Sequence, residues 1–332
     1  MQAASACGEV PAHTSESCLT RLSFGAAMPR NPGFGIGLAA VLASVVIWGA
    51  QLPVAKSAYG AMDAVTLTAL RYGLAVLLLI AMLRAREGAA AFALGGRPWL
   101  LTFAGVCGMC GSPLLVFAGL AYTTPEHAVI ILALQPSMSA LAQWGLRGAR
   151  LPLFTVGSIV VAFAGVVLVV TGHGGPAGGG KLIGDVLVAA GAACWVTYSL
   201  MLALFPGMSA LRFTALTCAI GTACILVIAA GSVALGTARL PSLPQAVSVA
   251  PQIAYLALAG VTAAMLMWNF GSPRVGAQNS ILLLNLMPVE TYLIRYWQGA
   301  QFTTQEWLGA GLVIAALVAN NLYQRRDTIR AA

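Results

Sequence analysis

The chain has 332 residues, of which 59% are hydrophobic and 8% charged, with 37 glycines and a formal net charge of +8. A soluble domain carries about 25% charged residues. No soluble core absorbs this much apolar surface, so the composition excludes an aqueous globular protein and makes lipid the solvent.

Residues 1–34 form a polar leader that lacks the apolar core of roughly 7–15 residues found in a secretory signal. It is expected to be disordered and cytoplasmic, and Met28 opens a more ordinary start, "MPRNPGFGIGLAAVLASVVIWG". Segments long enough to span, at about 20 residues each, follow at 35–56, 64–83, 98–119, 126–146 and 153–171. A Gly-rich linker at 172–182 separates them from 183–204, 210–231, 252–272, 278–297 and 305–323, and a tail at 324–332 ends the chain. Several spans carry Gly, Pro, Gln or Asn, which membranes tolerate where neighbouring helices or a wet cavity satisfy the backbone. Cys107 and Cys110 make a C-x-x-C inside "AGVCGMCGSPLL", an apolar helix with no strand nearby, and read as small packing residues.

The basic residues orient the chain. With the N-terminus inside, twelve Arg residues fall on the cytoplasmic side and only Lys56, Lys181 and Arg239 on the other. That bias follows the positive-inside rule and places both termini in the cytoplasm. The positive charge is thus a topology signal, and no nucleic-acid partner is expected.

The chain also repeats itself. "DAVTLTALR" (Asp63–Arg71) resembles "SALRFTALT" (Ser209–Thr217), Trp48 matches Trp195, and "LQPSMSAL" parallels "LMPVETYL" so that Pro136 overlies Pro288. Two copies of a five-helix unit follow, 35–171 and 183–323. Five is odd, so the copies insert with opposite orientation. The expected fold is an all-α integral membrane protein of ten transmembrane helices, arranged as two inverted repeats around a central cavity.

The segments "VVIWGAQLPVAKSA", "LTALRYGLA", "AGLAYTTPEHAVIILALQPSMSAL", "GDVLVAAGAACWVTYSL", "LRFTALTCAIG" and "YLALAGVTAAMLMWNFGSPRVGAQNSILLLNLMPV" carry a more specific likeness. Over both halves, roughly 35–323, the chain resembles an EamA-type member of the drug/metabolite transporter superfamily. The resemblance implies an inner-membrane carrier that exports amino acids or related small metabolites by alternating access. The sequence departs from the family pattern at Gly148-Ala149 and Gly299-Ala300, where Gly-Glu is common, and at Glu290, where a small or apolar residue is usual.

Nine acidic residues remain to be placed. Glu9, Glu16, Glu87 and Asp327 lie in the leader, a loop and the tail, while Asp63, Glu126, Asp185 and Glu306 each open an expected helix, where the unpaired N–H groups favour them. Only Glu290 then sits inside a span. Counting inward at about 1.5 Å per residue, Glu290 and Arg71 both lie roughly 10 Å below the same face. An unpaired charge at depth costs about 2.5–3.5 kcal/mol on insertion scales. Glu290 is therefore expected to face the cavity, with Arg71 as a partner; outward snorkelling of Arg71 and a contact between Glu290 and Arg295 are the plainer readings.

Trp99, Trp144, Trp297 and Trp307 fall at span ends, as an interfacial belt requires. Trp48, Trp195, Trp268, Tyr72, Tyr198 and Tyr292 fall deeper, as do the uncharged polar residues Gln51, Gln135, Asn269 and Asn285. The candidate cavity set is Trp48, Gln51, Arg71, Tyr72, Gln135 and Trp195, with Tyr198, Trp268, Asn269, Asn285 and Glu290. An intramembrane hydrolase would need a nucleophile with its base, and no G-x-S-x-G occurs. A channel would show pore-lining polar rings. No cofactor or metal is expected; the partners are a small-molecule substrate, the lipid bilayer and, as an open option, a coupling proton. Monomer and homodimer both stay open, and the alternative function is a non-transporting membrane receptor or scaffold on the same fold.

The charge asymmetry predicts that the linker faces the periplasm. A cysteine at Gly178, on a background without other exposed cysteines, should react with a membrane-impermeant thiol reagent in intact cells. Labelling only after lysis would reverse the topology.

Overall fold

A computed structural model describes residues 33–147, 152–171 and 179–331. The leader before Gly33, the Gly148-Ala149 pair and linker residues 172–178 lie outside the described residues. Every element among the described residues is helical.

In the first half, α1 (Phe34–Ala58) and α2 (Ala64–Glu87) are continuous. A third segment runs from α3 (Pro98–Ala104) through a π-helical stretch (Gly105–Gly111) into α4 (Ser112–Tyr122). α5 (Pro125–Leu132) breaks before α6 (Gln135–Arg147), and α7 (Leu153–Thr171) closes the half. The second half repeats the plan with α8 (Gly179–Met201) and α9 (Ala210–Ala234). After the short α10 (Leu243–Ser248), α11 (Ala250–Ala254) passes through a second π-helical stretch (Tyr255–Ala263) into α12 (Ala264–Val275). α13 (Ala277–Leu283) breaks before α14 (Met287–Trp297), and α15 (Thr304–Ala331) continues through the expected tail without stopping at 323.

Seven segments are long and apolar enough to cross a membrane by length and composition: 34–58, 64–87, 98–122, 125–145, 182–204, 210–234 and 250–275. Leu153–Val169 is a shorter apolar helix. The α13–α14 segment falls short on its own because it is interrupted and carries Glu290 and Arg295, yet it packs into the same bundle against α1 and α5.

Local chemistry explains the ends and the breaks. Asp63 caps α2, its Oδ1 accepting from the Thr66 N–H at 2.8 Å. Thr124 caps α5 with Pro125 in its first turn, and Thr303 with Glu306 forms a reciprocal capping box at the head of α15. Asp185 corrects an expectation. α8 starts earlier, at Gly179, so this carboxylate lies inside the helix and accepts from Thr123 Oγ1 at 2.9 Å instead of capping an N-terminus. The fourth segment of each half breaks next to the matched prolines, Pro136 and Pro288. Proline offers no N–H to the carbonyl four residues back, and its ring crowds that carbonyl.

The halves interlock through reciprocal pairs. α1 packs on α12 as α4 packs on α8, whereas α2 meets α9 and α7 meets α15. Glycine permits these approaches. A Cβ on Gly119 would stand 2.5 Å from the Gly184 carbonyl oxygen and 2.9 Å from Val188. At the matching crossing, a Cβ on Gly271 would meet the Gly37 carbonyl and stand 2.8 Å from Val41. Gly165 and Gly309 face each other, each with the other's carbonyl oxygen within 2.7 Å of a built Cβ. Gly37, Gly165, Gly184 and Gly309 all sit four residues before a valine, and in every case that valine closes the same contact. Lipid tails are as apolar as leucine, so such close backbone packing has to supply what hydrophobic burial supplies in water. Outward, large apolar side chains are bare, with Leu77 67% and Val227 73% exposed, as a lipid-facing surface requires.

Gly119→Val should therefore destabilise the detergent-solubilised protein by about 1–3 kcal/mol through overpacking, read as a lower thermal midpoint. Gly73→Ala, where a Cβ meets nothing within 4 Å, is the control and should not lower it.

Candidate functional site

A cavity opens where the two halves meet, at mid-depth of the bundle. Its walls come from positions that match under the repeat: Trp48 with Trp195, Gly108 with Gly260, Leu132 with Leu284, and Gln135 with Met287. Leu132 and Leu284 are the residues four before Pro136 and Pro288, so the proline breaks border the cavity itself. Gly108 and Gly260 lie in the two π-helical stretches. Their missing side chains make room: a Cβ on Gly108 would collide with the Tyr198 ring, and one on Gly260 would stand 3.2 Å from Gln51 Oε1. π-helical stretches are common at functional sites, and both of these supply cavity wall.

The matched geometry carries unmatched chemistry. The first half contributes Gln51, Arg71, Tyr72, Ser112 and Gln135 to the wall, while the second contributes Trp195, Val261, Met265, Leu284 and Met287. The first half also adds Trp48, Pro113, Val116, Phe117 and Leu132, so the wall's charged and amide side chains come from the first half alone but stand among apolar ones.

Arg71 is 2% exposed. Its guanidinium lies 3.5 Å from the centre of the Phe117 ring and 5.2 Å from that of Tyr72, and Nη1 donates to Gln51 Oε1 at 3.4 Å. The buried Nε has no hydrogen-bond partner among the described residues. Nor does Arg71 pair with Glu290, which corrects the sequence expectation. Glu290 is half-buried and packs against Gly49 of α1, where a built Cβ would stand 2.8 Å from its Cδ, and the adjacent Thr291 donates to the Gly49 carbonyl at 2.8 Å. Gly49 and Gln51 are two residues apart, a turn of about 200° around an α-helix. The two charges thus contact opposite sides of α1.

Of the candidate set, Trp48, Gln51, Arg71, Tyr72, Gln135 and Trp195 line this cavity, and Tyr198, Trp268, Asn269, Asn285 and Glu290 do not. Trp268 stands behind it, with ring centres 5.3 Å from Trp48 and 5.6 Å from Trp195. Trp48 Nε1 donates to the Gly260 carbonyl at 2.9 Å, which fixes the indole across the interface between halves. Asn269 Nδ2 donates to Tyr198 Oη and Thr214 Oγ1, each at 2.8 Å, tying α12 to α8 and α9 towards one end of the bundle. Asn285 occupies the 3₁₀ turn between α13 and α14, its Oδ1 buried without a partner. Sequence reasoning missed the rest of the wall, including Ser112, Val116 and Phe117 of α4 and Met265, Leu284 and Met287 of the second half, because small and apolar residues in a span carry no signal beyond packing.

The opposite end is ionic. Arg295 Nε donates to Glu126 Oε1 at 2.6 Å, joining α14 to α5, and His127 Nε2 lies 3.6 Å from Glu306 Oε1 on α15. Lys56 Nζ donates to the carbonyls of Leu120 and Thr123 at 2.7 and 2.8 Å. Arg295 reaches another helix and not Glu290, as expected from a spacing of five, which turns two side chains of one helix apart. Glu126 is 4% exposed, so Arg295→Met strands a buried carboxylate. That variant should be less stable than Arg295→Met/Glu126→Gln, with a coupling energy of about 1–3 kcal/mol in a double-mutant cycle of melting midpoints.

Comparison with known proteins agrees with this architecture. The EamA-like transporter family model matches residues 35–171 and again 182–322. The uncharacterized transporter YrdR of Bacillus subtilis is 30% identical over 300 residues, covering 88% of this chain and 93% of that protein. YyaM, another uncharacterized transporter of the same organism, is 28% identical over 282 residues, covering 82% and 89%. A chain of known crystal structure superposes with a TM-score of 0.65 over 88% of this chain and 98% of its own length, at 23% identity, a likeness of fold alone. A helical bundle whose cavity is walled by both copies of a repeated unit, each copy matched by the same family model, belongs to the EamA-like transporter family.

Proposed function

We propose that the protein is a non-enzymatic secondary carrier of the inner membrane, exporting amino acids or related small metabolites by alternating access. Its ten spans form two inverted five-helix repeats, with both termini cytoplasmic. The observation that carries this reading is the cavity built from matched positions of both halves, Trp48 with Trp195 and Leu132 with Leu284. Reciprocal packing supports the inversion: α1–α12 exchanges with α4–α8, while α2–α9 and α7–α15 pair like with like, as a two-fold axis between the halves requires.

The end layers suit gates. At one end the Glu126–Arg295 pair and the His127–Glu306 contact join the halves, and at the other Asn269 holds Tyr198, which packs against Gly108 of the first half. Releasing one layer while the other holds exposes the cavity to one side at a time. Glu290 suits proton coupling: it is an intramembrane carboxylate with no ion-pair or hydrogen-bond partner among the described residues, and groups of this kind serve as proton relays in transporters.

Counterflow in proteoliposomes tests the carrier. Preloaded substrate should drive transient accumulation of labelled substrate, and substrate binding without any exchange would favour a receptor or scaffold on this fold. Glu290→Gln should retain counterflow and lose accumulation driven by a pH gradient. Unchanged pH-driven accumulation in Glu290→Gln and Glu290→Ala removes the carboxylate from coupling.

A further inference from the structure

We infer that the cavity takes a small amphipathic organic anion, a carboxylate with an apolar body, and discriminates against ligands that carry an ammonium group. The inference rests on the carrier reading and, within its substrate class, takes the related small metabolites in place of the amino acids themselves.

The centre of the site is Arg71. A guanidinium has five N–H donors, and buried charges are ordinarily paired. Arg71 is 2% exposed, lines the cavity and makes no ion pair among the described residues. Its one side-chain hydrogen bond, to Gln51, is long at 3.4 Å, and its Nε is orphaned. The aromatic faces of Phe117 and Tyr72 hold the positive charge without neutralising it. A planar fork held this way is pre-organised for an oxyanion, and a carboxylate meets it with two parallel hydrogen bonds.

Two further observations define the rest of the ligand. Among the described residues no carboxylate lines the cavity, so an ammonium bound there would lose its hydration without gaining a counter-charge. The rest of the wall supplies apolar surface from both halves, Val116, Phe117 and Leu132 with Trp195, Met265 and Leu284, which suits an aromatic or branched hydrocarbon body. The asymmetry is built into the duplication: Arg71 matches Thr217 and Gln135 matches Met287, so the first half holds the anionic head. An amino acid keeps the carboxylate contact but must strand its amine, and the same molecule without the amine should bind better.

Matched ligands separate these cases. Purified protein in detergent is titrated by intrinsic tryptophan fluorescence, Trp48 and Trp195 lying in the wall. The probes are phenylalanine, its des-amino acid 3-phenylpropanoate and its decarboxylated amine phenethylamine, with leucine, 4-methylpentanoate and isoamylamine as a second set. The acids should bind at least tenfold more tightly than either the amino acids or the amines. Arg71→Gln should weaken acid binding at least tenfold, while Arg71→Lys keeps part of it. Equal or tighter binding of the amines or amino acids overturns the inference, as does absence of saturable binding by both acids, or acid affinity unchanged in a normally melting Arg71→Gln. If Arg71→Gln does not fold, the order of the six ligands on the unaltered protein still decides. Counterflow with the same probes separates the two readings. Exchange of the amines but not the acids defeats the anion and leaves the carrier standing, whereas acid binding without exchange defeats the carrier and leaves the anion site.

Discussion

The constraint on which this structure depends is the close approach of helix backbones in a solvent that offers no hydrophobic reward for association. Gly119 against Gly184, Gly271 against Gly37 and Gly165 against Gly309 bring carbonyls to distances that any side chain would block. Each contact is completed by a valine one turn on, whose stiff branched side chain fills the groove at small conformational cost. These crossings couple the halves to each other, because α1–α12, α4–α8 and α7–α15 all pair an element of one half with an element of the other. Packing of this kind is short-ranged, so the helices either meet closely or gain little.

The cavity exists because the same bundle is interrupted where its backbone could otherwise close. Pro136 and Pro288 stop their helices at equivalent points, and the π-helical stretches at Gly105–Gly111 and Tyr255–Ala263 place Gly108 and Gly260 opposite Tyr198 and Gln51. Interrupted helices at membrane depth are tolerated only where protein or a wet cavity satisfies the backbone, which makes these breaks and the cavity one feature. Divergence between the halves left the charged and amide side chains of that wall on the first half, with Arg71 as its buried charge.

The ionic end layer uses charge in another way. Glu126, Glu306 and Asp185 are buried and each has a partner on a different element: Arg295, His127 and Thr123. Interactions of this type hold several helix ends together while remaining exchangeable for water. Arg71 and Glu290 differ from them in having no acid–base partner among the described residues, and the proposed anion and proton sites rest on these two.

Sequence alone determined the lipid solvent, the helical class, the duplicated unit and most helix ends, because these follow from composition, spacing and caps such as Asp63 and the Thr303–Glu306 box, all local in the chain. It also nominated Trp48, Gln51, Arg71, Tyr72, Gln135 and Trp195, since a polar or large aromatic group deep in a span has few places to go. It set Arg71 beside Glu290 because depth along a helix can be counted from sequence, whereas direction around it relative to a neighbour cannot. Only the packing of α1 between them decided that Gln51 faces one charge and Gly49 the other. The same limit hid the Glu126–Arg295 pair, whose members are far apart in sequence and meet because α14 crosses α5. Which side chains share a cavity depends on the rotation and crossing of packed helices, and those are properties of the assembled bundle.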